Sequence, residues 1–232
     1  MPQSESFLPI IMTGMNEPWE KIAHLGTRER FPKRSVVAGS YEDVDGVYYL
    51  VKGLVRLSCI TRTGREYAMM YMGEGMLFNE NDVFHKGLNH FLTSVEPLET
   101  IFFPRAMFNE KFFGAHPDLA MNLISSLSQK SRVLYALLGA TRSLDSFANV
   151  CRALYRMHLF NTVEEGGKGA GRIVPRLSQQ ELAAFLGMHR ASMHTALSRL
   201  KDEGIIGHYS KKELTIPDLP GLERYVFSNF AF

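Results

Sequence analysis

The sequence predicts an α+β protein: an N-terminal β-roll of the jelly-roll kind, one long helix, and a C-terminal winged helix-turn-helix. Three observations predict it. Between Phe31 and Phe103, short runs rich in Val, Tyr, Phe and Thr are separated by glycines where turns are needed. After Pro117 the apolar spacing becomes helical, and no glycine or further proline interrupts it before Gly139. From Leu177 to Ile206, two short amphipathic segments flank Gly187, the arrangement of paired helices around a tight turn. The domains read as 1–115 for the roll, 116–142 for the long helix and 143–232 for the helix-turn-helix.

The first ~30 residues read as a polar lead-in with a short helix around Pro18 to Leu25. The roll follows in VYYLVKG, LVRLSCI, TRTGREYAMMYMGEG, HFLTSVEP and LETIFF, with a hairpin turn at Thr63-Gly64. Alternation in LVRLSCI sets Cys59 on the strand face of Val55 and Leu57, as a core thiol. Cys151, in a helical stretch, reads the same way. Two cysteines are too few for a disulfide framework or an iron–sulfur cluster, so neither is expected.

In the long helix, Asp118 favours the N-terminus through the helix dipole. Leu119, Leu123, Leu127, Leu134 and Leu138 give a near-heptad stripe, read as the seam of a homodimer and interrupted by Lys130 and Ser131. A second helix runs from about Leu144 to Phe160. Glu164 to Arg172 is too rich in glycine for an element.

Composition is that of a globular chain, 45% hydrophobic and 22% charged, so disorder is excluded as the main state. No run approaches the ~18 apolar residues of a membrane span, and the signal-peptide pattern is missing. A cytoplasmic location without a membrane partner is expected. The net charge of +2 does not by itself announce nucleic acid. Local pattern does. Ser178 with Glu181 forms a capping box, so a helix starts at Gln179 and Gly187 ends it. The next helix, from about Arg190 to Glu203, buries Met193, Leu197 and Leu200. Its leftover face carries His189, Arg190, Ser192, His194, Thr195 and Ser198, with no carboxylate among them. Arg190, His194 and Thr195 are assigned to base edges there, Arg190 as a bidentate reader of guanine. His189 and Ser192 are assigned to phosphates. The segment HYSKKELTIPD reads as a β-hairpin wing, with Lys211 and Lys212 placed for phosphate contact.

The order of roll, long helix and winged helix-turn-helix resembles the Crp/Fnr family of regulators over almost the whole chain. The resemblance is carried by GVYYLVKGLVRLSCITRTGREYAMMYMGEGMLFNE, HPDLAMNLISSL and SQQELAAFLGMHRASMHTALSRLKDEGII. It implies a cyclic-nucleotide-binding-like roll, a dimer, a small effector between roll and long helix, an inverted-repeat duplex and RNA polymerase as partner. Half-sites are expected one helical turn apart, ~34 Å. Family members reading a TGTGA-like half-site use Arg, Glu and a later Arg. Here Arg190, Ala191 and Thr195 match those positions, so an altered operator is expected.

The resemblance also implies an effector pocket of Glu80, His90, Phe91, Leu134 and Tyr135. Glu80 matches an acid that contacts ribose in the family, with Asn79 where the family has glycine. The phosphate-binding Arg-Ser or Arg-Thr pair aligns with His90 and Phe91. Phenylalanine cannot hydrogen-bond a phosphate, which argues against cyclic AMP. Haem stays open as a gas-sensing alternative, because one branch uses an N-terminal proline as ligand; Met1-Pro2, His85 and His90 are the positions concerned. A cupin-like metal enzyme would need two or three histidines on facing strands. Only His85 and His90 fall in the roll, and the eight histidines show no ligand spacing. No catalytic residue and no metal ligand are assigned.

Overall fold

A computed structural model describes residues 7–39, 44–60, 64, 66–81, 90–143, 145–163 and 172–227. Thr63, His85 and Met1-Pro2 lie outside the described residues. The predicted α+β architecture is found, as two compact units. One is Ile11–Leu134; the other takes the described residues of 1–10 and 135–232.

Among its described residues, the Ile11–Leu134 unit holds nine strands: β1 (Ile11–Met12), β2 (Thr27–Phe31), β3 (Val36–Gly39), β4 (Gly46–Lys52), β5 (Val55–Ile60), β6 (Glu66–Met72), β7 (Leu77–Phe78), β8 (His90–Ser94) and β9 (Leu98–Pro104). One sheet runs β1-β6-β5-β8-β3 and the other β2-β9-β4-β7. Every pairing is antiparallel except β1 on β6. Strand β4 has apolar residues on both faces. Val47 and Tyr49 join a core with Trp19, Ile101 and Phe103, while Tyr48 stacks on Phe78 at 5.0 Å from the opposite face. The turn after β4 requires glycine. At Gly53, φ is +107°, and a Cβ would lie 2.3 Å from the Pro97 carbonyl oxygen.

Helix α1 (Glu110–Ala115), capped by Asn109, leads into the long helix α2 (Pro117–Ser143). A buried polar network fastens α2 to the strands. Asn16, fully buried, donates to Asn122 and accepts from the Leu77 amide and the Ser126 hydroxyl. Asn122 also accepts from the Trp19 indole and donates to the Met15 carbonyl. The buried members, Asn16 and Ser126, are thus taken out of water with partners, as burial demands.

The lead-in is less polar than expected. The short helix is present as a 3-10 helix, Glu17–Leu25. Before it, however, Phe7, Ile10, Ile11 and Met12 are all buried. Ile11 and Met12 pair with Tyr71 and Met72. Phe7 packs edge-on against Tyr155 and Phe227.

The second unit contains α3 (Ser146–Phe160), β10 (Thr162–Val163), β11 (Arg172–Ile173), α4 (Gln179–Phe185), α5 (Arg190–Asp202) and α6 (Leu219–Phe227). Asp145 caps α3 by accepting from the Ala148 amide. Cys151 is a core residue of α3, its thiol pushed up to about 12 by burial. From the same helix, the Arg156 guanidinium donates to the Leu8 and Pro9 carbonyls. Burial lowers its pKa to about 10, so it stays cationic at neutral pH. No described helix is long and apolar enough to cross a membrane.

Candidate nucleic-acid interface and effector cavity

The capping box predicted before α4 is complete. The Ser178 amide donates to the Glu181 carboxylate at 2.7 Å, and the Glu181 amide donates to the Ser178 hydroxyl at 3.2 Å. Gly187 turns the chain at φ +67°, and α5 begins at Arg190. Met193, Ala196, Leu197 and Leu200 are buried on α5, matched by Leu182, Ala183 and Phe185 on α4. At the start and along the outer side of α5, His189, Arg190, His194 and Thr195 are exposed, and Ser192 is half-buried. The Thr195 hydroxyl donates back to the Ala191 carbonyl at 3.0 Å. The first turn of α5 has no acidic residue and no side-chain cap, leaving its amides directed outward for an anion.

Arg199 is turned to structural use. It donates to Glu203 and the Tyr225 hydroxyl and lies 4.1 Å from the Phe147 ring centre. The wing is a hairpin closed by bonds from Gly207 to Thr215 and from Ser210 to Glu213. Leu214 bridges to Ile173, and the Tyr209 hydroxyl donates to the Leu177 carbonyl. Of the two wing lysines, only Lys212 is exposed. Lys211 is paired with Glu181 at 2.7 Å, so its ammonium is spent on tying the wing to α4. Burial alone would raise the Glu181 pKa; the hydrogen bonds from Lys211 and Ser178 outweigh it and hold the carboxyl below its ordinary range.

In the other unit, a cavity of about 250 Å³ lies against β5, β6, β8 and α2. Glu80, His90 and Leu134 line it, as the resemblance implies. Phe91 does not: alternation along β8 gives His90 and Leu92 to the cavity and turns Phe91 away. Tyr135 does not either. It is 72% exposed, one residue beyond Leu134 on α2 and so about 100° around the helix. The wall is mainly apolar, from Leu57, Met70, Met72, Phe78 and Leu92.

Three polar features in and beside the cavity were not foreseen. Lys130, read as a break in the heptad, is buried and donates to Glu80 and to the Leu77 carbonyl at 2.7 Å. Asn79, at φ +68°, uses its amide nitrogen on the Gly46 carbonyl at 2.9 Å, while its side-chain oxygen is buried with no partner. The Ser58 hydroxyl is likewise buried without a partner. The register shift between β5 and β6 places its extra residue, Met69, on β6, since Leu57 faces Met70 and Ser58 faces Ala68. Strand β5 keeps its alternation against β8: Leu57 and Cys59 pair with Leu92 and His90 on the cavity side, and Ser58 pairs with Phe91 on the opposite face. Cys59 is half-buried at the cavity wall instead of a core thiol.

The expected dimer stripe needs correction. Leu119 and Leu123 are buried in their own unit's core, and Leu127 packs against it; Leu134 faces the cavity. Among the described residues, the large apolar side chains that α2 leaves exposed are Met121, Ile124, Tyr135 and Leu138. With Ser128 and Ser131 they fit spacings of 3, 4, 3, 4 and 3, a regular heptad one face over from the leucines. Sequence periodicity could not separate two stripes on one helix. Among the described residues, no cluster of three or more His, Cys, Asp or Glu is placed to hold a metal ion.

Comparison with known proteins adds the following. A family profile described as a cyclic nucleotide-binding domain matches residues 28–113, and one described as a Crp-like helix-turn-helix domain matches residues 149–225. The chain is 22% identical over 184 residues to the cAMP-activated global transcriptional regulator CRP of Pasteurella multocida, covering 78% of this chain and 86% of that one. It is 24% identical over 195 residues to a CRP-like cAMP-activated global transcriptional regulator of Mycobacterium tuberculosis, covering 84% and 85%. Among solved structures, CprK complexed with OCPA is similar with a TM-score of 0.76 at 21% identity, covering 94% and 99%. A CooA mutant from Carboxydothermus hydrogenoformans is similar with a TM-score of 0.77 at 15% identity, covering 93% and 100%.

Proposed function

Because the chain belongs to the Crp/Fnr family of DNA-binding transcription regulators with an effector-binding domain, we propose how its own residues divide that work. Helix α5 enters the major groove, with Arg190, His194 and Thr195 at base edges and His189, Ser192 and Lys212 at phosphates. One observation carries this reading: from His189 to Thr195 the outer side of α5 is open to solvent and acid-free, beside an uncapped helix start. The cavity beside Glu80, His90, Lys130 and Leu134 takes the effector. Two copies meet along Met121, Ile124, Ser128, Ser131, Tyr135 and Leu138, so that paired α5 helices address an inverted repeat. The work is done in the cytoplasm, against RNA polymerase.

The test is selection of bound duplexes from a random pool, followed by titration of the selected site against scrambled DNA. Affinity for the selected repeat falls steeply with salt as counterions are released. Arg190→Ala costs about 1–3 kcal/mol on that site and relaxes preference at one base pair in each half. Unchanged preference in this variant would remove Arg190 from the base-reading set.

A further inference from the structure

We infer that the cavity takes an uncharged, one-ring aromatic molecule carrying a hydroxyl, and refuses phosphates and carboxylates. The inference rests on the reading of this cavity as the effector site, and it deepens that reading by naming the ligand's chemistry.

Charge comes first. The Lys130 ammonium already has Glu80 and the Leu77 carbonyl as acceptors, and the pair sums to zero. Arginine is missing from the described lining residues, and Lys130 is the single lysine among them. An anion seated here would face the Glu80 carboxylate. To reach Lys130 in its place it would have to leave that carboxylate buried and unpaired, a costly exchange. A neutral molecule disturbs nothing.

The unpartnered oxygen sets the polar requirement. Asn79 is held by its own amide nitrogen on Gly46, so the orphaned oxygen is a fixed acceptor that needs a donor. A deprotonated acid oxygen cannot supply one; a hydroxyl can. The same hydroxyl oxygen can accept from the third N–H of Lys130. One ligand hydroxyl thus satisfies an oxygen that the folded chain buries and leaves unpaired, which buried polar atoms seldom are.

The remainder of the wall fixes the body. Met69, Met70, Met72 and Phe78 with Leu57 and Leu92 offer polarisable, apolar surface, and thioether sulfur makes favourable contacts with aromatic rings. A volume of about 250 Å³ lies below the ~300–1,000 Å³ of sites for drug-sized ligands. A single ring is the size that fits.

The experiment is calorimetric titration of the full-length protein with phenol, benzyl alcohol, toluene, benzoate and cyclic AMP, paired with DNA-affinity measurements at saturating phenol. Phenol and benzyl alcohol are expected to bind about tenfold more tightly than toluene, the value of one well-made hydrogen bond. Benzoate and cyclic AMP should give no heat. In Asn79→Gly, checked for an unchanged melting curve, the preference for phenol over toluene shrinks or disappears. The wild-type comparison stands if this variant fails to fold. Equal binding of phenol and toluene, tighter binding of benzoate or cyclic AMP, or no binding of any probe overturns the ligand class. Phenol binding that leaves DNA affinity unchanged would keep the ligand class and sink the effector reading. An anion that binds and shifts DNA affinity would do the reverse.

Discussion

In the Ile11–Leu134 unit, Glu80 meets Lys130 with side chains only 4% and 10% exposed; in the other unit, Glu181 meets Lys211 with 21% and 35% exposed. The chemistry is the same and the surroundings are not. The first pair lies beside an apolar cavity and borrows one further acceptor, the Leu77 carbonyl. The second sits where a helix start meets a wing, shares its carboxylate with a capping box, and keeps water within reach. Burial makes an ion pair expensive to break and does not make it a large net gain, whereas a half-exposed pair is cheap either way. The difference therefore predicts how each unit answers when one partner is removed.

The largest effect is expected from Lys130→Met. Removing the ammonium leaves Glu80 buried and unpaired, at a cost of about 3–5 kcal/mol. Denaturant unfolding of the full chain measures it. Replacing both partners, Glu80→Leu with Lys130→Met, should recover most of the loss, because no buried charge remains. A double variant as unstable as the single one would show that packing, not charge, is at stake.

A half-buried charge in the other unit sharpens the contrast from the opposite side. Arg156 is held by the Leu8 and Pro9 carbonyls, so Arg156→Met strands two acceptors and should cost about 2–3 kcal/mol. Hydrogen exchange is expected to rise in Leu8–Ile10 and across α3. If exchange there does not change, the N-terminal residues are held by Phe7 and its aromatic neighbours alone.

What could be read beforehand divides along the same line. The α+β order, the capping box, the Gly187 turn and the outer side of α5 depend on residues within a few positions of one another, where periodicity and capping rules act. The Glu80–Lys130 pair joins residues fifty positions apart, and no local rule pairs them; Lys130 looked like a flaw in a heptad. The bulge that adds Met69 to β6 breaks a strict alternation there and sets Met69 at the cavity wall beside Met70. Helix α2 serves its own core with Leu119 and Leu123 and leaves a second stripe outside. A single sequence reports both periods at once, so the seam was given to the leucines. Phe7 to Met12 were too short and too mixed a run to look buried, yet they pair with β6 and pack on α3.

The smallest effect is expected from Lys211→Ala, and its pH dependence makes it decisive. With both side chains partly in water, loss of the pair should cost only about 0.2–1 kcal/mol at neutral pH, shrinking further as salt screens it. The Glu181 carboxyl is held below its ordinary value of 4.5 in the folded protein. A group depressed in this way adds stability that is present above 4.5 and is lost as pH falls through the lower folded value. In Lys211→Ala the depression is relieved in part, with Ser178 still donating. The variant should therefore differ from the parent at neutral pH and converge on it under acid, where the Glu181 carboxyl is protonated in both. Melting curves taken in steps from pH 7 to ~3 would follow this. A gap that persisted at the acid end would mean that Lys211 steadies the wing by packing its hydrocarbon stem, and the two Glu–Lys pairs would then differ in kind as well as in burial.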